Sequence, residues 1–199
     1  METDHLQQVQ QLSVRQRVRL SVNQYEVIAE DPDGRGGGEV IAFAQQKRVA
    51  LNSRVTFYTD ASKETPFGGF AERDIVTASN VYDVTDADGK PVGSFRKNFK
   101  KSLFRSTWHL EQPGIGELTG TERSGRVAVI RRIWQFLPVV DELPLWTYHF
   151  DFRLDGQPAF SVTRQRTLRD RYLVDIHDPR LDRRLVIAQA VALDAMQAR

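Results

Sequence analysis

Hydrophobic and polar residues alternate along most of this chain. In "LSVRQRVRL", Leu12, Val14, Val18 and Leu20 fall on one face and Ser13, Arg15, Arg17 and Arg19 on the other, the period of a half-buried strand. "RVTFYTD", "NVYDVTD", "VGSFRKNF", "LFRSTWHLE", "WTYHFDFRL", "PAFSVTRQRT" and "RYLVDIH" are equally short and rich in Val, Thr and aromatics, which suit a pleated surface. Three stretches run from an aromatic strand through an Asp-Gly turn into a second strand. Their turns centre on Asp33-Gly34, Asp88-Gly89 and Asp155-Gly156, where glycine supplies the positive φ of a tight hairpin. Many strands joined this way predict an antiparallel sandwich or barrel.

Two segments break the rhythm. "VIRRIWQFLP" places Ile130, Ile133, Trp134 and Leu137 at helical spacing, with Arg131 and Arg132 off that face and Pro138 as a stop. It reads as a helix that plugs one end of a barrel, or one that lies in a membrane interface with Trp134 and Phe136 buried and Arg131 and Arg132 reaching phosphates. The other is "DRRLVIAQAVALDAMQAR", with Asp182 as N-cap and Leu185, Val186, Ile187, Ala188, Ala190, Val191, Ala192, Leu193, Ala195 and Met196 leaving no polar stripe. An all-round apolar helix either crosses a membrane or is buried in protein. At about 12 residues it reaches only ~18 Å, against a hydrocarbon core of ~30 Å. It is therefore expected inside the β-structure, with Leu185, Val186, Ala188, Val191, Ala192, Leu193 and Met196 as the central contacts.

The chain has 199 residues, enough for one domain with a full core at 40% hydrophobic content. Residues 11–199 are read as that domain and residues 1–10 as a flexible start. Lys and Arg total 28 against 26 Asp and Glu, so net charge says little and local clustering matters more. The absence of cysteine excludes disulfides, thiolate metal sites and cysteine nucleophiles. The opening residues show no secretory signal and no apolar run reaches the length of a membrane span. A cytoplasmic location follows by default, peripheral at the inner membrane surface if lipid is bound.

Three stretches together resemble the Tubby C-terminal-like superfamily, in its LURP-one-related and phospholipid-scramblase-like branch. They are "LSVRQR" with "YEVIAEDPDG", then "YDVTDADGKPVGSFRKNFKKSLFRSTWHL", then "DRYLVDIHDPRLDRRLVIAQAVALDAM". The resemblance implies a closed antiparallel barrel of about 12 strands wrapped around the final helix. It also implies a non-catalytic module associated with phospholipid headgroups. In scramblase-like proteins an acidic calcium segment precedes the last helix. Here that stretch carries Arg169, Arg171 and Arg180, which oppose divalent cations.

The strongest candidate for binding is "FRKNFKKSLFR". Arg96, Lys97, Lys100, Lys101 and Arg105 interleave with Phe95, Phe99, Leu103 and Phe104. Each basic residue near an anionic membrane contributes ~1 kcal/mol, and aromatics can sit at headgroup depth. Arg164 and Arg166, on one face of a later strand, would extend the patch, or would pair with Asp170 and Asp175. The plain alternative is a solvated hairpin that keeps the protein soluble.

Two classes of partner stay open: an anionic phospholipid or membrane surface, and protein partners of a scaffold or stress-response module with no lipid affinity. Nucleic acid is disfavoured, because no reader motif accompanies the cations. His5, His109, His149 and His177 lack metal-ligand spacing, and His109 and His149 are expected in the core or a groove. The paired aspartates of "DPDG" and "DADG" lack the later ligands of a calcium loop and read as turns. No catalytic, metal or cofactor pattern is present.

Overall fold

The structure, a computed structural model, describes residues 3–18, 22–30, 38–47, 54–73, 81–98, 107–123, 149–165 and 171–197. A short helix α1 (Thr3–Gln8) leads into strands β1 (Gln11–Val18), β2 (Val22–Ala29), β3 (Glu39–Lys47), β4 (Arg54–Tyr58), β5 (Pro66–Glu72) and β6 (Val81–Asp86). Strands β7 (Pro91–Asn98), β8 (Thr107–Gln112), β9 (Gly116–Glu122), β10 (His149–Leu154), β11 (Gln157–Gln165) and β12 (Arg171–Ile176) follow, then helix α2 (Arg183–Gln197). Each strand pairs antiparallel with its neighbours in sequence, and β1 also pairs with β12 from Gln11↔Asp175 to Arg15↔Arg171. The sheet thereby closes into a twelve-strand barrel with no free edge.

Alternation sends one side chain in two to the interior. The inner wall from β4 to β8 is a chain of aromatic rings: Phe57, Phe70, Tyr82, Phe95 and Trp108. Tyr82 and Phe95 stack at 5.2 Å, and across the barrel Phe152 and Phe160 stack at 4.1 Å. Phe152 faces Gly120 in register, and its ring fills the space that a β-carbon there would need.

Helix α2 occupies the centre. Residues Leu185 to Ala192 are at most 1% exposed, and Gly93 on β7 leaves room for Leu185, whose Cδ2 would stand 3.0 Å from a β-carbon at that position. The helix packs against β7, β5, β6 and β1. Leu185, Val186, Ala188, Val191, Ala192 and Leu193 are all buried; the side chain of Met196 lies outside the described residues. Asp182 caps the helix as expected, its Oδ1 accepting the backbone N–H of Arg184 at 2.9 Å.

The chain start, expected to be flexible, holds α1. Leu6 is fully buried, Gln7 Nε2 donates to Asp182 Oδ1 at 3.1 Å, and Gln7 Oε1 accepts from the Arg183 backbone N–H at 3.1 Å. Arg183, 1% exposed, donates to the carbonyls of Val9 and Leu181 at 2.8 and 2.6 Å and of Pro179 at 3.2 Å. Every buried donor so used offsets the cost of taking a guanidinium out of water. Gln112 completes the join, accepting from the Asp182 N–H at 2.9 Å and donating to the Arg180 carbonyl at 3.1 Å.

The two ends of the barrel differ. One holds α1, the α2 cap and the tight turns; in the Asp155-Gly156 turn both residues have positive φ, 48° and 79°. In the Asp88-Gly89 turn, Asp86 Oδ1 accepts the N–H of Asp88 and of Lys90 at 3.0 and 2.8 Å. The Asp33-Gly34 turn and the "VIRRIWQFLP" helix lie outside the described residues. At the opposite end, here called the rim, β7 finishes at Asn98 and β11 at Gln165, while β8, β10 and β12 begin at Thr107, His149 and Arg171.

Candidate anion-binding rim

Strand β7 delivers two of the predicted cations to the rim and aims them apart. Arg96 lies on the outer wall opposite His109, its guanidinium 3.9 Å from Glu117 Oε2, while Glu117 Oε1 is 2.6 Å from His109 Nδ1. One carboxylate thus serves two bases, and the longer contact is loose for an ion pair. Lys97, the next residue, faces inward, and its Nζ stands 5.7 Å over the ring of buried Trp108. Lys100, Lys101 and Arg105 fall within 99–106, outside the described residues, between two strands that both end at the rim.

Arg164 sits on β11 opposite Tyr172, also at the rim; Arg166 lies outside the described residues. Strands β8, β9 and β10 separate β7 from β11. At about 4.8 Å per strand the two basic groups stand about 19 Å apart along the sheet, too far to grip a single phosphate but compatible with a flat charged surface. Asp175, expected as a counter-charge here, accepts from Gln11 Nε2 at 2.9 Å, and Arg171 instead meets Glu30 at 2.6 Å.

His109 and His149, expected in the core or a groove, are on the outer wall and only partly buried. Around His149 the strands assemble a cluster that no sequence spacing announces. Its Nδ1 is 2.9 Å from Thr163 Oγ1 and its Nε2 3.3 Å from Asp151 Oδ1. Arg123, just beyond β9, donates to both oxygens of Asp151 at 2.9 and 2.6 Å. That hydrogen-bonded guanidinium holds the Asp151 carboxyl below the usual range although burial opposes it. Burial and then the charge of Arg123 push the His149 imidazole down, against the pull of Asp151 and Asp175.

Two depressions mark the outer wall. A cleft of about 180 Å³ between β10 and β11 is lined by residues including Arg123, Asp151, Ser161 and His177. A shallower trough of about 390 Å³ runs over β5, with Gly69 on its floor and Arg73 clasping Asp83 beside it. A β-carbon at Gly69 would collide with the carbonyl oxygen of Val55, so close strand approach accounts for that glycine. Among the described residues no cluster of three or more His, Asp or Glu side chains could hold a metal ion. No described helix is long and apolar enough to cross a membrane.

A closed antiparallel barrel around a buried apolar helix is the architecture of the Tubby C-terminal-like class. The sequence profile of the LURP-one-related family matches residues 40–194, and the chain belongs to that family. The matched span covers most of β3, all of β4 to β12 and most of α2; α1, β1 and β2 precede it. No curated protein and no solved structure matches the chain.

Proposed function

We propose that this protein is a non-catalytic module that docks on anionic phospholipid headgroups through its rim, using Arg96, Lys97, Lys100, Lys101, Arg105, Arg164 and Arg166. One observation carries the reading: β7 and β11, whose cations lie more than sixty residues apart in sequence, bring Arg96, Lys97 and Arg164 to the same end of the barrel. The flanks of 99–106 and 166–170 are at that end as well. The spread of the charges favours a surface over an isolated ligand, and Lys97 over Trp108 pairs a cation with an aromatic, a combination suited to the headgroup layer.

Co-sedimentation with vesicles tests it. Neutral vesicles should leave the protein in the supernatant, and vesicles containing a phosphoinositide or another anionic lipid should pellet it at physiological salt. Replacing Lys97, Lys100 and Lys101 together by Glu should weaken binding by more than about 100-fold, at ~1 kcal/mol per lost cation before counting the reversed charge. Binding that vanishes with modest salt on every anionic lipid, or that survives the triple reversal, defeats the assignment.

A further inference from the structure

We propose that His149 is an acid-sensitive gate on the rim: on protonation it takes Asp151 from Arg123, and the freed guanidinium adds to the surface that meets anionic lipid. This rests on the docking reading above and deepens it by naming a control on the same rim.

Position comes first. Arg123 leaves β9, two strands from β7 with Arg96 and Lys97, and two strands from β11 with Arg164. It stands midway between the two basic groups, and its side chain is 59% exposed. It is nevertheless electrically silent while the imidazole is neutral, because Asp151 cancels it through the two hydrogen bonds described above.

The imidazole is placed to free that guanidinium. Its Nε2 lies 3.3 Å from Asp151 Oδ1, the same oxygen that takes the 2.6 Å bond from Arg123. Both imidazolium nitrogens are donors, so Nε2–H then competes with the guanidinium for that oxygen. The neutral ring keeps its hydrogen on Nδ1 and donates it to the Thr163 hydroxyl oxygen 2.9 Å away, which leaves Nε2 without a hydrogen-bond partner until the added proton arrives there. The trio of Arg123, Asp151 and His149 then changes from net zero to net +1.

The charged groups around the ring set the direction. Arg123 faces it from just beyond β9, Asp151 from its own strand and Asp175 from β12, while the described contact from β11 is the neutral Thr163. In the free protein burial and Arg123 disfavour the charged ring. An anionic surface reverses the balance, since it stabilises the added cation. A surface potential near −30 mV also lowers the local pH by about half a unit. Docking and proton uptake therefore reinforce each other, as linkage requires.

The test is vesicle co-sedimentation of the full chain at pH 7.5 and pH 5.5 on phosphatidylglycerol, whose charge is constant over that range. Wild type should bind about fivefold more tightly at the lower pH for one added charge. His149→Gln should bind as wild type does at pH 7.5 and lose most of the gain at pH 5.5. Asp151→Asn, which frees Arg123 at every pH, should bind at pH 7.5 about as tightly as wild type does in acid; neutral-pH binding no tighter than wild type counts against the gate. Wild type that binds equally at both pH values, or His149→Gln that keeps the whole gain, overturns the gate and leaves the docking reading intact. No binding at either pH overturns both.

Discussion

The hydroxyl of Tyr172 donates to Asp194 Oδ1 across 2.7 Å in the interior of the barrel. This bond ties β12, the strand that closes the barrel, to the last turns of the central helix. It gives one hydrogen-bond partner to an acid that is only 5% exposed on an otherwise apolar helix. Leaving a buried polar oxygen without its partner costs about 1–3 kcal/mol, so Tyr172→Phe should destabilise the fold by about 2 kcal/mol. Urea unfolding should show a lower midpoint at unchanged slope. An unchanged midpoint would mean the bond contributes nothing net.

Gln189 presents the opposite case. It is fully buried on α2, and neither amide atom has a hydrogen-bond partner among the described residues. An unpaired buried amide costs about 1–3 kcal/mol, and methionine has nearly the same length and shape. Gln189→Met should therefore raise stability by about 1 kcal/mol or more. A fall in the denaturation midpoint would show that the amide is satisfied in solution.

Acid should act on the fold in two stages. His149 has a folded pKa below its ordinary value, chiefly through burial, so the unfolded chain takes up the proton first. Its contribution is complete above about pH 6.5 and is lost as pH falls towards the folded value. Asp182 behaves likewise lower down. Burial raises its pKa, but the side-chain and backbone bonds from Arg184, the charge of Arg184 and the bond from Gln7 together outweigh that and lower it. Asp151 is lowered mainly by Arg123. These carboxylates contribute fully above about pH 4 and lose their share below it. His149→Gln should flatten the part of the stability profile that falls away just below about pH 6.5 and leave the carboxylate limb below about pH 4 alone. A mutant profile that tracks wild type through the upper window would refute the assignment to His149.

What the sequence could and could not disclose follows from the range of the interactions. Alternation placed Leu12 and Val14 inside, because a strand's faces are set locally. It could not bury Ser13, whose hydroxyl donates on the outer wall to Glu30, a carboxylate that also takes a bond from Arg171, 141 residues further along the chain. The central helix was readable from its missing polar stripe, but the tolerance of Asp194 depends on Tyr172 from another element. Helix α1 was missed because "TDHLQQ" has one large apolar residue; Gln7 is held by the cap of α2 at the far end of the chain. The cluster of Arg123, His149, Asp151 and Thr163 draws on three strands with no fixed spacing, so periodicity had nothing to report. The basic hairpin was visible as composition, yet the divergence of Arg96 and Lys97 is a consequence of pleat.

Barrel closure makes the segment before the family match indispensable. Strand β1 joins β12 on one side and β2 on the other, and β2 joins β3. Removing residues 1–38 takes away α1, β1 and β2 together, leaving β3 and β12 as unpaired edges three strand steps apart. The gap would span about 14 Å at about 4.8 Å per strand step, which the remaining sheet cannot close without changing its curvature. It would also uncover the interior beside Leu12, Val14, Tyr25 and Val27 and strip Arg183 of the Val9 carbonyl. Exposed edges of this kind recruit other chains. Fragment 39–199 should therefore aggregate or lose the cooperative thermal transition of the full chain, as read by circular dichroism and sedimentation. A monomeric fragment with that transition preserved would show that β3 and β12 can pair directly, and that the first two strands are an addition to a smaller closed barrel.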